Sequence, residues 1–319
     1  MSTPTPSLEV LLLLRAARET GALEALMTSA ETPEALAAET DLTPRAATTL
    51  VSVLETEGFL ERVDDTYEPT NRSLGFLAKT DVRSIGSLPA TLDRLDRGLE
   101  LASTMRGDDP DAMTDIERRN RLGALAAVDE STVRAIVTGL VHVAPDARRV
   151  LEIGGTPGRH AAEFAARGFD VTVYDRPEHL VASRGVLAPA DVETLEGTIP
   201  DGLADTLAGV DRFDLVTAVE QSHRFGPDAN ERLIEAGIGV LRPGGSLALV
   251  TPLEGDAASR AAVDALTTTV EGRCHASETY RGWLETAGLE AVSIRSVLGA
   301  AVHVVTGRKP DATFPAGGQ

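Results

Sequence analysis

Apolar side chains recur at helical spacing from the start of the chain: Leu8, Leu11, Leu12, Ala16, Leu23 and Leu26. Gly21 interrupts that run, so the pattern predicts two helices rather than one. Thr32-Pro33-Glu34 opens a short helix to Thr40, with Thr32 as N-cap and Pro33 in the first turn. Thr43-Pro44 opens a longer helix to Glu57 that buries Ala47, Leu50, Val51 and Leu54, and Gly58 ends it. Residues 59–63 then read as a strand, Asp64-Asp65 as a turn and residues 66–69 as the returning strand. Helix, turn, helix and hairpin in that order is the winged-helix arrangement. It sets residues 1–88 apart as a first domain. Residues 89–145 read as a polar helical connector, broken at Gly107-Asp108-Asp109-Pro110 and resuming as one helix over residues 118–140. The tail over residues 309–319, with two prolines and two glycines, reads as disordered.

The second half, residues 146–308, alternates strands and helices. Residues 150–153, 171–174, 213–219 and 246–251 are apolar strands, and residues 159–167, 229–241 and 278–287 are helices. Arg242-Pro243-Gly244-Gly245 reads as the turn between a helix and the strand after it. The strands over 291–297 and 302–306, joined near Gly299, form a closing antiparallel pair. Alternation of this kind gives an α/β fold with a parallel sheet and helices on both faces.

Charge narrows the partners. The 49 acidic and 30 basic residues give a net charge of −19, and residues 1–88 hold 14 acidic against 7 basic residues. A nucleic-acid grip needs clustered positive charge, so the winged helix is not expected to read DNA; dimerisation is its expected role. Only Lys79 and Lys309 are lysine among the 30 basic residues, the rest being arginine. An acidic surface poor in lysine is similar to that of proteins from salt-loving archaea, although a high-GC genome gives the same bias. Cys274 is the only cysteine, which excludes an internal disulfide and fits a reducing, cytoplasmic setting. The apolar run ending at Arg15 is too short to span a membrane.

The candidate chemistry lies at the first strand of the second half. Gly154-Gly155-Thr156-Pro157-Gly158 follows Glu152-Ile153 and precedes a helix. Glycines let a ligand approach the backbone, and an acid at the tip of the next strand, Asp175, can accept hydrogen bonds from two ribose hydroxyls. That pattern points to a nucleoside-containing ligand. It leaves NAD and S-adenosylmethionine open, although residues 154–160 lack the G-x-G-x-x-G dinucleotide fingerprint.

Leu151 to Gly158 resembles motif I of class I S-adenosylmethionine-dependent methyltransferases. Tyr174-Asp175-Arg176-Pro177-Glu178 resembles the D-L-P-E segment of the caffeate and hydroxyindole O-methyltransferase family. Ser222-His223-Arg224-Phe225-Gly226-Pro227 is similar to the L-H-x-F-x-P segment of its microbial members. Residues 241–245 and 279–289 resemble its Leu-Arg-Pro-Gly-Gly turn and late helix. The resemblance spans residues 8–308. It implies a seven-stranded Rossmann-like sheet, a homodimer formed through the N-terminal domain, S-adenosyl-L-methionine as cofactor and a small hydroxylated molecule as acceptor. It further implies His223 as general base and Glu152, Gly154, Gly155, Gly158, Asp175, Arg176, Thr198 and Val219 as cofactor-binding residues, with no metal.

Departures from the family pattern are specific. Thr156 stands at the middle glycine of motif I, Gly197-Thr198 lacks the usual acid near the adenine, and Thr251 stands where a histidine-orienting glutamate is expected. Glu220 and Glu254 are the substitutes close in sequence. These departures keep a second reading open, a non-catalytic S-adenosylmethionine-binding regulator. His142, His160, His179, His275 and His303 show no metal-ligand spacing and read as surface or core-edge residues, and Arg118, Arg119 and Arg121 as a solvated helix face that could border the acceptor site.

Overall fold

The structure, a computed structural model, describes residues 6–77, 81–209, 212–255 and 258–311. The expected disordered tail therefore lies almost wholly outside the described residues. The N-terminal part contains α1 (Leu8–Glu19), α2 (Ala22–Thr28), α3 (Pro33–Thr40) and α4 (Pro44–Thr56), followed by the antiparallel hairpin β1 (Leu60–Val63) and β2 (Thr66–Pro69). The sequence dictates the breaks. Gly21 takes φ 73° between α1 and α2, and the Thr32 and Thr43 hydroxyls accept from Ala35 N and Ala46 N at 3.2 Å. The face of α4 buried in the core is Ala47, Leu50, Val51 and Leu54, as its spacing requires. Together with Leu14, Leu26, Leu36, Phe59 and Leu92 these residues make a hydrophobic core of their own.

A helical stretch follows: α5 (Leu74–Leu77), α6 (Leu88–Leu99), α7 (Leu101–Thr104), α8 (Asp115–Ala126) and α9 (Glu130–Val143). The single helix expected over 118–140 is thus two helices. The break is held by Arg159, whose guanidinium donates to the carbonyls of Ala126 and Val128 at 3.2 Å. A guanidinium that satisfies terminal carbonyls stabilises a helix end that would otherwise be left with orphan acceptors.

The remainder is a three-layer sandwich. In chain order it comprises β3 (Arg149–Ile153), α10 (Arg159–Ala166), β4 (Asp170–Asp175), α11 (Pro177–Leu187), β5 (Glu193–Glu196), α12 (Leu203–Thr206), β6 (Phe213–Val219), α13 (Pro227–Val240), β7 (Leu241–Thr251), α14 (Ser259–Thr268), α15 (Ser277–Thr286), β8 (Glu290–Ser296) and β9 (His303–Arg308). The seven strands lie in the order β5-β4-β3-β6-β7-β9-β8, with β9 antiparallel to both neighbours. Residues 242–245 are not a turn before the strand but an irregularity within β7. Leu241 pairs with Phe213 and Ser246 with Leu215, so Arg242–Gly245 loop out of the ladder. The helix α14 was not legible in the sequence.

Strand alternation divides the core. Leu151, Ile153 and Tyr174 point toward α13 and α15; Val150, Val171 and Val173 point toward α9 and α10. Ile136, Val137 and Leu140 of α9 belong to this second core, so the last helix of the connector packs on the sheet. Burying these aliphatic faces, at about 25 cal/mol per Å² of apolar surface, stabilises the sandwich in a chain so poor in aromatics. The chain leaves β5 on one edge and re-enters on the far side of β3 at β6. That reversal opens a crevice at the carboxyl ends of β3 and β6, where ligands of such folds bind.

Candidate active site

The glycine loop joins β3 to α10 at this crevice. Gly154 takes φ 70°, and a Cβ there would stand 2.6 Å from the Gln221 side chain, which donates to Gly154 O at 3.0 Å. Gly158 takes φ 95° at the start of α10 and packs on Leu187; the same Cβ would meet that side chain at 2.3 Å. Only glycine satisfies both conditions at these two positions.

Glu152 shares its strand face with Val150 and is fully buried, yet neither carboxylate oxygen has a hydrogen-bond partner. His160 Nδ1 lies 3.4 Å from Oε1, and His160 Nε2 is likewise buried without a partner. A buried carboxylate without donors is costly, so its pairing with a ligand donor is the expected resolution. Two cavities meet at this loop. One, of about 450 Å³, is lined by Glu152, Gly154, Gly155, His160, Val219 and His223, and by residues of α8, α9 and α14. The other, of about 360 Å³, is lined by Asp175, Arg176, Ile199 and Phe225, and shares Gly154, Thr156, Gln221, Arg121 and Leu125 with the first.

Asp175 sits at the tip of β4, as its place in the strand requires, but its carboxylate is already engaged. Oδ2 accepts from Thr156 N at 3.2 Å and Thr156 Oγ1 at 2.6 Å; Oδ1 accepts from Arg176 N at 2.7 Å and lies 3.0 Å from His179 Nδ1. Burial would raise its pKa, but the His179 hydrogen bond and charge, with the Thr156 and Arg176 donors, outweigh that and hold it below the usual carboxylate range. Thr156 therefore does not turn its hydroxyl to solvent; it occupies the carboxylate.

His223 lies on a single 3₁₀ turn after β6 and is 4% exposed. Its Nδ1 is buried with no hydrogen-bond partner. Burial first, and then the neighbouring Arg224 and Arg121 charges, push its pKa down to about 3, so the ring is neutral across the physiological range. Neither Glu220 nor Glu254 hydrogen-bonds to it. Glu220 lines the larger cavity and Glu254 is exposed. Thr251 is buried against Tyr280, with its hydroxyl 3.2 Å from the phenol. The nearest acidic influence is Asp264 of α14.

Several residues differ from their sequence-based reading. Thr198 is exposed and lines neither cavity; its carbonyl accepts from Tyr174 OH at 3.0 Å, and Ile199 takes the place at the wall. His160 and His179 are at the core edge, half-buried, and contact the two acids of the site. His275 is buried, edge-on to Trp283 and Tyr280. Arg121 is not a solvated helix residue; it lines both cavities and pairs with Asp264 at 3.3 Å. Asp264 and Arg260 stand one turn apart on α14, so recognising that helix would have brought them forward as a pair. Among the described residues no group of His, Cys, Asp and Glu could hold a metal ion, and no helix is long and apolar enough to cross a membrane.

Residues 124–294 match a family described as "Methyltransferase domain", and that span covers more than half of the chain. The chain belongs to this methyltransferase family. No curated protein matches it. Among solved structures it is similar to an O-methyltransferase family protein from Burkholderia thailandensis, with TM-score 0.69 and 22% identity over 96% of both chains. It is also similar to human N-acetylserotonin methyltransferase, with TM-score 0.67 and 19% identity over 95% of this chain and 94% of that one. The mitomycin 7-O-methyltransferase gives TM-score 0.69 and 20% identity over 94% of each. These likenesses extend over the N-terminal helices as well as the sheet, so the whole architecture is shared.

Proposed function

We propose that this methyltransferase moves the methyl group of S-adenosylmethionine to the oxygen of a small hydroxylated acceptor, with His223 as general base. The observation that carries the reading is the larger cavity, which brings the buried, partnerless Glu152 carboxylate and His223 into one wall. The cofactor fits at its amine end, where Glu152 offers an acceptor for an ammonium group and Gly154 and Gly155 leave room for it. At the ribose end Asp175 fits by position, but its two oxygens already meet four donors, so the Thr156 hydroxyl and the His179 ring must turn away before two further donors can be accepted. When bound, the cofactor supplies an electrophilic methyl group on a sulfonium.

The chain's own residues do the remainder. The walls formed by α8, α9 and α14 orient the acceptor and exclude water, which alone can contribute several kcal/mol. His223 Nδ1 is sealed off, so an acceptor proton would go to Nε2. The tautomer that does this carries its hydrogen on Nδ1, where no acceptor waits. His223 is thus a weak base, suited to an acidic hydroxyl. The N-terminal domain, read as a winged helix, is the proposed homodimer interface, and the 89–145 segment is proposed to serve as the cover of the catalytic domain.

Calorimetric titration with S-adenosylmethionine and S-adenosylhomocysteine tests the reading; failure of a folded protein to bind either would sink it. Two further outcomes are expected. Thr156→Ala frees Asp175 Oδ2 of one donor and should tighten S-adenosylhomocysteine binding by roughly the worth of one hydrogen bond, about fivefold. Weaker binding would mean that the hydroxyl supports the site. Because protonation of His223 is suppressed to about pH 3, lowering pH through 6.5 should not protonate it. The acidic limb of kcat/KM, which reports the free enzyme, should fall below pH 5. A limb at about 6.5 would show an ordinary histidine instead.

A further inference from the structure

The acceptor end of the larger cavity is cationic in a chain of net charge −19. Arg94 of α6, half-buried, Arg121 of α8 and the exposed Arg260 of α14 line it together, with Asp264 beside Arg121 and with Glu220 elsewhere on the same lining. Asp264 is committed to Arg121 at 3.3 Å. Arg94 donates only to the Thr91 hydroxyl at 2.8 Å, and Arg260 has no hydrogen bond or ion pair among the described residues. Nearby Asp93 is taken by Arg18 at 2.7 Å and by Asn120 at 2.8 Å. Burial first, and then the Arg260 and Arg121 charges, lower the pKa of Arg94 against the opposing pull of Asp264 and Asp93. Glu152 and His160 line the same cavity at the glycine loop, and Arg159 there is satisfied by the carbonyls of Ala126 and Val128.

Guanidiniums brought to one cavity from separate helices, with fewer acidic partners than charges beside them, favour an anionic group there. Resting on the O-methyltransferase reading, we infer that the acceptor carries a carboxylate, held by Arg94 and Arg260 while its hydroxyl faces His223. A guanidinium binds a carboxylate through paired donors, which fixes orientation as well as charge. Such a grip suits a site whose base is weak, because it places the hydroxyl without help from an orienting acid.

The test is calorimetric titration of the S-adenosylhomocysteine-loaded protein with a panel of mono- and dihydroxylated benzoates and cinnamates, each paired with its methyl ester. The acids should bind about tenfold or more tighter than their esters. Arg94→Gln with Arg260→Gln should abolish that preference while leaving S-adenosylhomocysteine affinity within about twofold. The same variant should keep its Tm within about 5 °C of the parent, since the one contact it removes is the Arg94 bond to the Thr91 hydroxyl; this readout separates a ligand site from a structural one. Equal binding of acids and esters overturns the inference, because the guanidiniums then hold at most the ionised hydroxyl. An acid preference that survives in the double variant also overturns it, as does an absence of acid binding to the loaded protein. Failure to load S-adenosylhomocysteine overturns instead the reading on which the inference rests.

Discussion

Replacing His223 by alanine is expected to lower kcat at pH 7 by about 10²-fold, the low end of the range for loss of a general base. The low end follows from the geometry. His223 has no carboxylate behind it, its Nδ1 lacks any partner, and its pKa is pushed down to about 3. It therefore gains little from taking the proton, and much of the rate is left to orientation. The deficit should shrink as pH rises toward the ionisation of the acceptor hydroxyl, since an oxyanion needs no base. Single-turnover rates at pH 7 and 9.5 measure this. A deficit that stays constant with pH would assign His223 a positioning role, and an undiminished rate would remove it from the chemistry. Affinity for S-adenosylhomocysteine should be unchanged.

Loss of the Asp175 carboxylate should have the largest effect on the cofactor. Its oxygens accept from two backbone N–H groups, one hydroxyl and one imidazole, all at or near the tips of β3 and β4. Asp175→Ala leaves two of these backbone donors without an acceptor in a buried place, at about 1–3 kcal/mol each. S-adenosylhomocysteine binding should weaken about 100-fold or more, and the Tm should drop as well. Asp175→Asn separates the two effects. It keeps the volume and one acceptor, so the Tm should stay within about 5 °C while affinity still falls about tenfold. An Asn variant with full affinity would show that the ribose hydroxyls are bound elsewhere.

What the sequence made legible follows from which forces are local. Helix starts at Thr32 and Thr43, the stop at Gly21, the face of α4 and the strands flanking the glycine loop are set by caps, glycines and short-range periodicity. Residues 150–153 and 213–219 read correctly because central parallel strands are continuously apolar. Where a distant side chain decides, the local pattern falls short. The α8–α9 break depends on Arg159, some thirty residues away. The fate of Thr156 depends on Asp175, nineteen residues away on the next strand. The grouping of Arg94 with Arg260 and Asp264 escapes the sequence for the same reason, since their shared cavity exists only once α6, α8 and α14 pack. Thr198 differs for a local reason: it is exposed on the loop after β5, while its neighbour Ile199 lines the wall.

Arg159 also has a consequence for how the two ligands communicate. It is the first residue after the glycine loop, and its guanidinium anchors the joint between the two helices that wall the acceptor space. A shift of the loop on cofactor binding would act on that wall through these two hydrogen bonds. Occupancy of one ligand should therefore alter affinity for the other, and thermodynamic reciprocity requires the same factor in both directions.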